Sequence, residues 1–350
     1  GDTKSSIETH SGLQVDLRIL VPERWGTAIQ YFGGSQAHNI HTRELALQQG
    51  YSLNEHALTP VSGGDPLLFD TEEALYAFLG LQWVPPEIRE DWGEIEAAQA
   101  NQIPKLITID DIRADLHMHT TWSDGKLAIR EMADAALKRG REYICITDHS
   151  KNATIANGLS VERLLAQQEE IRHVDAEMRP FRVFHGVELE IKADGDLDYP
   201  DEVLAQLDFV VASLHVGLRQ PREQVTARLL NAIRNPHVDL IGHPRGQLVN
   251  ERDPADLDMD AVFAAARESG IALEINANPH RLDLEASLAR RAAELGIWIA
   301  IDTDAHSEAD MDNLRYGILT ARRAWLTAAQ VINTWTLATF EQWIAGRGKA

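Results

Sequence analysis

The chain has 350 residues, 44% of them apolar, and a formal net charge of −21. This length and apolar content suffice for one large or two ordinary globular domains, whereas the excess of carboxylates excludes a broad basic surface that grips a phosphate backbone. No apolar run is long enough for a membrane span, no export signal is visible, and the single cysteine, Cys145, cannot form an intrachain disulfide, so we expect a cytoplasmic protein with no membrane association.

The first elements of the chain predict a small mixed domain. Apolar and polar residues alternate over 13–21, with Val15, Leu17 and Ile19 on one face and Asp16 on the other, which predicts an edge strand. A Gly-Gly-Ser break then separates two stretches with helical spacing, and an extended piece follows them. These three segments are 25–32, 38–49 and 51–55.

The order and spacing of these motifs resemble the end of the palm and the start of the thumb in family X DNA polymerases, the polymerase beta type. The matching segments are Val15-Asp16-Leu17-Arg18, Tyr31-Phe32-Gly33-Gly34-Ser35 and Leu53-Asn54-Glu55. The resemblance implies that Asp16 corresponds to the third carboxylate of a polymerase site that uses Mg²⁺. It also implies a position beside the incoming nucleotide or the nascent base pair for Tyr31, Phe32, Gly34, Asn39 and Arg43.

The other two catalytic aspartates of that family would lie before residue 1 of this chain. Because two-metal nucleotidyl transfer cannot run on one of its three carboxylates, we expect a C-terminal fragment that does not polymerise. In such a fragment, we expect Asp16 to be either a vestigial ligand or a plain surface acid.

From residue 113 onward, short β-branched runs alternate with stretches of helical spacing, which predicts an α/β fold with a parallel sheet closed or nearly closed into a barrel. The seven runs are 114–119, 143–148, 182–191, 208–216, 238–242, 271–277 and 297–303. A domain boundary is therefore predicted between about 102 and 113. The predicted parts are a palm-like strand region at 1–20, an α+β thumb-like domain with its linker at 21–108, and the barrel domain at 113–350.

Histidines and carboxylates concentrate where the predicted barrel strands end. Six of the fourteen histidines fall there, and a parallel barrel brings its strand ends to one mouth. Imidazole and carboxylate together suit Zn²⁺, Mn²⁺ or Fe²⁺, and a packed core would not tolerate so many unpaired polar groups. The nine potential ligands are His117, His119, Asp124, His149, Glu188, His215, His243, Asp304 and His306.

This pattern, HxH, a following Asp, TDH, GVE, SLH, GHP and DxH, resembles the polymerase and histidinol phosphatase (PHP) domain over 113 to about 325. The resemblance implies a distorted seven-stranded (β/α) PHP barrel, here preceded by the thumb-like domain. It also implies a trinuclear Mn²⁺, Zn²⁺ or Fe²⁺ centre that hydrolyses phosphoesters. The implied ligand groups are His117, His119, Glu188 and Asp304 for one ion, Asp124, His149 and His306 for a second, and Glu188, His215 and His243 for a third.

Loops after the predicted strands offer further candidate residues. Asp148 is adjacent to His149 and could orient its imidazole. Cationic and amide side chains in these loops are candidates to hold a phosphate or to assist catalysis. The catalytic candidates are Asp148, Lys151 and Arg245, and the substrate-binding candidates are Asn278, His280 and Arg281.

Three functions are compatible with these patterns. The leading hypothesis is a metal-dependent phosphodiesterase of a family X polymerase, a 3′–5′ exonuclease acting on DNA in gap processing and base excision repair, with AP-endonuclease or 3′-phosphatase activity as variants. The alternatives are a free-standing phosphatase for a small ester such as histidinol phosphate, and an inactive PHP module that supports a polymerase. Residues 13–55 favour the first, since a small-molecule phosphatase has no evident use for them. The sequence leaves the metal and the oligomeric state open.

Overall fold

The computed structural model describes residues 4–347. The chain divides into two compact units, Gly1–Lys105 and Leu106–Ala350. Within the described residues, none of the helices combines the length and the apolar character needed to cross a membrane.

Among its described residues, the first unit contains two small antiparallel sheets and four α-helices. Its strands are β1 (Lys4–Glu8), β2 (Gln14–Arg18), β3 (Tyr51–Leu53) and β4 (Leu58–Pro60). Its helices are α1 (Trp25–Phe32), α2 (Gln36–Gln48), α3 (Glu72–Phe78) and α4 (Glu94–Gln99). Strand β2 lies within the predicted strand and pairs antiparallel with β1, a strand that the sequence did not predict because its residues are mostly polar.

The helices of the first unit are joined through a buried polar network. The Ser35 side chain caps α2 by accepting a hydrogen bond from the His38 backbone N–H at 3.1 Å. The His38 ring is buried, with Nδ1 2.6 Å from Glu94 Oε1 and Nε2 2.9 Å from the Tyr76 hydroxyl. One histidine of α2 therefore ties α3 and α4 to the cap of its own helix.

The second unit is a seven-stranded parallel sheet whose strand order follows the chain, from β5 to β11. Parallel bridging between Met118 and Ala305 brings its two edges together, so the barrel is nearly closed, as predicted. The strands are β5 (Ala114–Asp115), β6 (Tyr143–Ile146), β7 (Arg182–Glu190), β8 (Phe209–Ser213), β9 (Leu240–Gly242), β10 (Ala272–Asn276) and β11 (Trp298–Asp302).

Helices alternate with the strands of this sheet and follow the last strand. They are α5 (Ile129–Lys138), α6 (Val161–Met178), α7 (Asp201–Leu204), α8 (Arg222–Arg234), α9 (Met259–Ser269), α10 (Ala286–Glu294), α11 (Leu314–Arg323) and α12 (Leu337–Gly346). Alternation along the strands separates two apolar layers. On β8, Phe209 and Val211 lie in the barrel interior, whereas Val210 and Ala212 pack against the helices.

Aromatic side chains fill the end of the barrel where the strands begin. Phe340 of α12 stacks on Tyr143 with ring centroids 4.9 Å apart, and contacts Phe184 and Phe209 at 5.3 and 5.8 Å. The N-terminal ends of the strands are thus sealed by a packed apolar floor. The polar side chains that could bind a ligand lie at the opposite end of the barrel.

Strand β5 is shorter than predicted, because two backbone N–H groups beyond Asp115 bond to side chains, although the Met118 carbonyl and the His119 N–H still make backbone hydrogen bonds. The Leu116 N–H donates to Asp302 Oδ1 at 2.7 Å, and the Met118 N–H donates to Thr147 Oγ1 at 3.0 Å. The segment that bears the HxH pair is therefore held in place by neighbouring strands without being a regular strand itself.

Candidate metal centre

All nine side chains predicted as ligands meet at the C-terminal mouth of the barrel, and Glu188 lies at their centre. Its Oε1 is 2.8 Å from His243 Nε2 and 3.2 Å from His215 Nε2, while its Oε2 is 2.7 Å from His149 Nδ1. His117 Nε2 is 3.5 Å from the same carboxylate. The Glu188 side chain is fully buried, so the imidazoles around it, and not water, stabilise its negative charge.

Two further carboxylates complete the cluster on either side. Asp304 Oδ1 lies 3.1 Å from His119 Nε2 and 3.7 Å from His117 Nε2. Asp124 Oδ1 lies 3.2 Å from His306 Nε2 and 3.7 Å from His149 Nε2. Each carboxylate therefore faces two imidazole nitrogens at distances that a shared cation could bridge.

These side chains form four overlapping groups in which the candidate ligand atoms lie within 4.8 Å of one another. The groups are His119, Asp124, His149 and His306; His117, His119 and Asp304; His117, Glu188 and His243; and His149, Glu188 and His215. These groups differ from the implied ones, because His243 is grouped with His117 and His215 is grouped with His149. His215 and His243 nevertheless lie close to the same oxygen of Glu188, as the implied third group requires.

Buried polar atoms in the cluster fit cation binding. His117 Nε2 and both ring nitrogens of His119 are buried without a hydrogen-bond partner among the described residues. Leaving such nitrogens dry and unpaired costs free energy, whereas coordination to a divalent ion would satisfy them. The donor set of imidazole nitrogens and carboxylate oxygens is the one that Zn²⁺, Mn²⁺ and Fe²⁺ accept.

Electrostatics within the cluster also favour a cation. Burial raises the pKa of Glu188, but the imidazoles around it outweigh burial and hold that pKa well below its usual range. Burial lowers the pKa of His119, and neighbouring imidazoles lower it further, to about 4. By contrast, Glu188 and Glu190 overcome burial and raise the pKa of His215 to about 10. Ionised carboxylates beside a neutral imidazole are the states that bind a metal ion, which would displace the proton of His215.

Two of the predicted ligand positions have strained backbone. His243 has φ 27° and Asp304 has φ 52°, in the left-handed region that non-glycine residues seldom occupy. Both follow the ends of barrel strands, where the chain turns sharply to direct the side chain into the mouth. Strain of this kind clusters at functional sites because the surrounding structure must enforce it.

A layer of polar residues that the sequence analysis missed supports the ligands from below. Glu274 Oε1 lies 2.8 Å from His117 Nδ1, and Glu190 Oε2 lies 2.6 Å from His215 Nδ1. Asn276 donates to Asp304 Oδ2 at 3.2 Å. Strand alternation could have revealed these residues from the sequence. Glu190 lies on the same face of β7 as Glu188, and Glu274 and Asn276 lie on one face of β10.

Asp148 was predicted to orient the His149 imidazole, but in the structure it makes hydrogen bonds to other residues. Its fully buried carboxylate accepts hydrogen bonds from the backbone N–H and hydroxyl of Thr120, at 2.8 and 2.6 Å. It also accepts bonds from the Ser123 hydroxyl and the Gln167 amide, both at 2.5 Å. Asp148 therefore fixes the loop that bears Asp124, and its burial keeps it from contact with a substrate.

The predicted cationic candidates differ in position. An open cavity of about 470 Å³ lies over the cluster, and Arg281 lines it, with its Nε 3.5 Å from Asp304 Oδ2. Arg245 instead pairs with Glu285 at 2.5 Å, and Lys151 lies 5.9 Å from the Tyr199 ring. Among the described residues, the cavity walls include neither Arg245 nor Lys151, so their predicted catalytic roles find no support in side-chain position.

Asn278 and His280 shape the loop that carries Arg281. Asn278 Oδ1 accepts a hydrogen bond from the exposed His280 backbone N–H at 3.0 Å, and its backbone carbonyl accepts one from the Arg281 N–H at 2.8 Å. These contacts form a turn of the kind that asparagine favours. The substrate contacts predicted for both residues stay predictions.

The thumb-like site residues lie in the first unit. The Asp16 carboxylate is exposed and pairs with Lys4 at 3.0 Å, and hydrogen bonds from Ser6 and Gln14 lower its pKa to about 2. Asn39 donates to the Tyr31 carbonyl at 2.8 Å.

The remaining thumb-like candidates lie close to the turn before α2. The Arg18 guanidinium lies 4.8 Å from the Phe32 ring centroid. A Cβ at Gly34 would lie 3.0 Å from His38, which explains a glycine there, and Arg43 is exposed on α2. Contacts of these residues with a nucleotide stay predictions.

Comparison with known families matches both units. Residues 28–90 match the DNA polymerase beta thumb, and residues 115–278 match the PHP domain. The histidinol phosphate phosphatase of Lactococcus lactis, solved with zinc, L-histidinol and phosphate, is 21% identical; the alignment covers 60% of this chain and 93% of that one with a TM-score of 0.45.

Two curated relatives align with long parts of the chain. A "Probable phosphatase" of Thermoanaerobacter sp. (strain X514) is 33% identical over 232 residues, which cover 63% of this chain and 89% of the relative. The DNA polymerase/3′-5′ exonuclease PolX of Bacillus subtilis (strain 168) is 41% identical over 346 residues. That alignment covers 98% of this chain and 60% of the Bacillus protein. The chain therefore belongs to the family X DNA polymerases that contain a PHP phosphoesterase domain, and it comprises their thumb and PHP domains.

Proposed function

We propose that the barrel is a metal-dependent phosphodiesterase that removes nucleotides from the 3′ end of DNA, in gap processing and base excision repair. AP-endonuclease and 3′-phosphatase activity are further reactions of the same kind that this site could perform. The observation that supports this most is the convergence of nine ligand-type side chains, with the buried Glu188 at their centre, beside an open cavity. The exonuclease activity named for the Bacillus relative and the thumb in the same chain favour DNA as the substrate.

The nine side chains of the cluster would hold Mn²⁺, Zn²⁺ or Fe²⁺, up to three ions. Divalent ions there would neutralise the phosphate, lower the pKa of the attacking water and stabilise the leaving oxygen. Arg281 would orient the phosphate, because it lines the cavity and its Nη1 is buried without a hydrogen-bond partner among the described residues. Glu274 and Glu190 would keep the rings of His117 and His215 facing the centre.

A phosphatase for a small ester is the second candidate, because the Thermoanaerobacter phosphatase is covered over 89% of its length. Such an enzyme would use the same cluster, and the cavity would admit a small ester as well as a nucleotide. The two functions differ in the substrate that is turned over.

Incubation of the protein and Mn²⁺ with 5′-labelled single-stranded and gapped DNA, beside histidinol phosphate, tests the proposal. We expect stepwise 3′ shortening of the DNA, which His117→Ala reduces to background because it removes a side chain from two of the four ligand groups. His173→Ala is the matched control, since His173 is exposed on α6 away from the cluster.

Two outcomes would contradict the proposed function. Phosphate release from histidinol phosphate alone would identify the small-ester phosphatase. No turnover of any of these substrates, together with no change on His117→Ala, would identify an inactive module.

A further inference from the structure

The loop between β6 and α6 presents an exposed isoleucine at the mouth of the cavity. Ile155 has a relative exposure of 103%, the highest among the exposed large apolar side chains of the described residues. It lines the same cavity as His149, Glu188 and Asp304. Single exposed apolar side chains are common on protein surfaces. Ile155 differs from most of them because it lines the cavity over the cluster, where a bound ligand would cover it.

Both ends of this loop are anchored, so the exposure of Ile155 is part of a defined conformation. The Gly158 N–H donates to the Ala153 carbonyl at 3.0 Å, and the Asn152 N–H donates to Asp198 at 2.8 Å. The Asn157 side chain donates to the Ser123 carbonyl at 3.1 Å. These hydrogen bonds lie on both sides of Ile155 in the chain, and the last of them connects the loop to the segment that bears Asp124.

Close packing at the end of the loop reinforces this anchoring. A Cβ at Gly158 would lie 1.9 Å from the Ser150 carbonyl oxygen, so only glycine permits the chain to return this close to the end of β6. Arg163 of α6 donates to the carbonyl of Asn157 at 3.0 Å, which closes the loop against the helix. The loop is therefore an ordered part of the cavity wall.

The buried part of the cavity lining includes charged side chains, and its exposed part includes apolar ones. Glu188, Asp304 and Arg281 line the cavity with little exposure, whereas Ile155 and the 46%-exposed Val216 line it as exposed apolar side chains. A ligand that fits this division has an anionic group at one end and a flat, weakly hydrated face at the other. A nucleotide has this form, because its phosphate is charged and each base has an apolar face.

We propose that Ile155 packs against the face of the 3′-terminal nucleobase next to the scissile phosphate and so makes the site selective for nucleotides over base-free esters. This inference rests on the proposed function. Contact with the face of a base is tolerant of sequence, since all four bases present one. Ile155 is a specificity residue in this account and takes no part in the bond cleavage.

Kinetics on two matched oligonucleotides test the proposal, one with a normal 3′-terminal nucleotide and one with a 3′-terminal abasic tetrahydrofuran unit. We expect the wild type to prefer the normal end. Ile155→Ser should raise KM for that substrate by roughly three- to tenfold and leave KM for the abasic one unchanged, because only a base can use the apolar contact. Ile155→Phe should keep the preference.

Leu319→Ser is the matched control, because Leu319 is 48% exposed on α11 and does not line the cavity. It should leave both KM values unchanged. An equal effect of Ile155→Ser on the two substrates, or no effect, would overturn the inference while the exonuclease stands. A wild type that hydrolyses neither oligonucleotide would overturn the proposed function and this inference together.

Discussion

Two histidines of the cluster have one ring nitrogen committed to a carboxylate outside it. Nδ1 of His117 faces Glu274 at 2.8 Å, and Nδ1 of His215 faces Glu190 at 2.6 Å. A carboxylate at Nδ1 holds a proton on that nitrogen, so Nε2 is the ring atom that faces the centre and that could bind an ion after losing its own proton. The two carboxylates thus set the orientation of these imidazole rings.

His185 offers a test of pH dependence outside the cluster. The ring is 2% exposed, and neither nitrogen has a hydrogen-bond partner among the described residues. Burial, with a smaller contribution from Arg172, lowers its pKa to about 4 from the ordinary 6.5. His185 therefore binds a proton below about pH 6.5 in the unfolded chain, but only below about pH 4 in the folded protein. The folded protein loses stability as the pH falls between these two values.

His185→Leu should remove this pH dependence. At pH 5 the wild type should lose on the order of 2 kcal/mol of unfolding free energy through this group, relative to pH 7.5, and the variant should not. Urea denaturation of both proteins at the two pH values measures the difference. Equal pH dependence in His185→Leu and the wild type would contradict the assignment, and His173→Gln, on an exposed position, serves as the control.

At the scale of elements, a buried carboxylate connects three parts of the barrel mouth. Asp148, just beyond β6, receives hydrogen bonds from Thr120 and Ser123 in the loop before α5, and from Gln167 in α6. The loop also bears Asp124, whose carboxylate faces His306. The position of Asp124 therefore depends on a residue that does not touch it.

Asp148→Ala should destabilise the barrel and weaken metal binding at the same time. Buried donors left without an acceptor cost roughly 1–3 kcal/mol each, so we expect a loss of about 3 kcal/mol in unfolding free energy and a lower affinity for Mn²⁺ by titration calorimetry. Asp148→Asn should be milder, because its oxygen still accepts the Thr120 and Ser123 N–H groups. Asp134→Ala, on an exposed position of α5, should change neither quantity, and a similar response of all three variants would refute the argument.

The sequence predicted the strands well because each barrel strand is a short buried run, and it predicted the nine cluster positions because parallel strands end at one mouth. It overextended β5, since the Leu116 and Met118 N–H groups donate to the side chains of Asp302 and Thr147, and these tertiary contacts end the regular ladder early. Loop residues were harder. Arg245 and Arg281 look alike in sequence, but only the fold decides that Arg245 pairs with Glu285 while Arg281 faces the cavity.

At the scale of the whole molecule, the negative net charge of −21 and the proposed DNA substrate oppose each other. Repulsion between carboxylates and phosphates lowers the rate of encounter, and it is strongest at low salt. Cations in the cluster would reverse the local sign where the phosphate binds. A DNA substrate is therefore compatible with this acidic protein only if the metal ions are already bound when the DNA arrives.

Removal of metal should destabilise the second unit alone, because all nine cluster residues lie between Leu106 and Ala350. An ion that binds only the folded state adds about 2.7 kcal/mol at a free concentration of 100 times its dissociation constant. For a unit of this size we expect a fall of about 5–10 °C in the melting midpoint when EDTA replaces Mn²⁺. Scanning calorimetry should show the shift in the transition of the second unit and none in that of Gly1–Lys105. His117→Ala should shrink the shift, whereas an equal shift in both transitions, or none, would argue against a metal centre in the barrel.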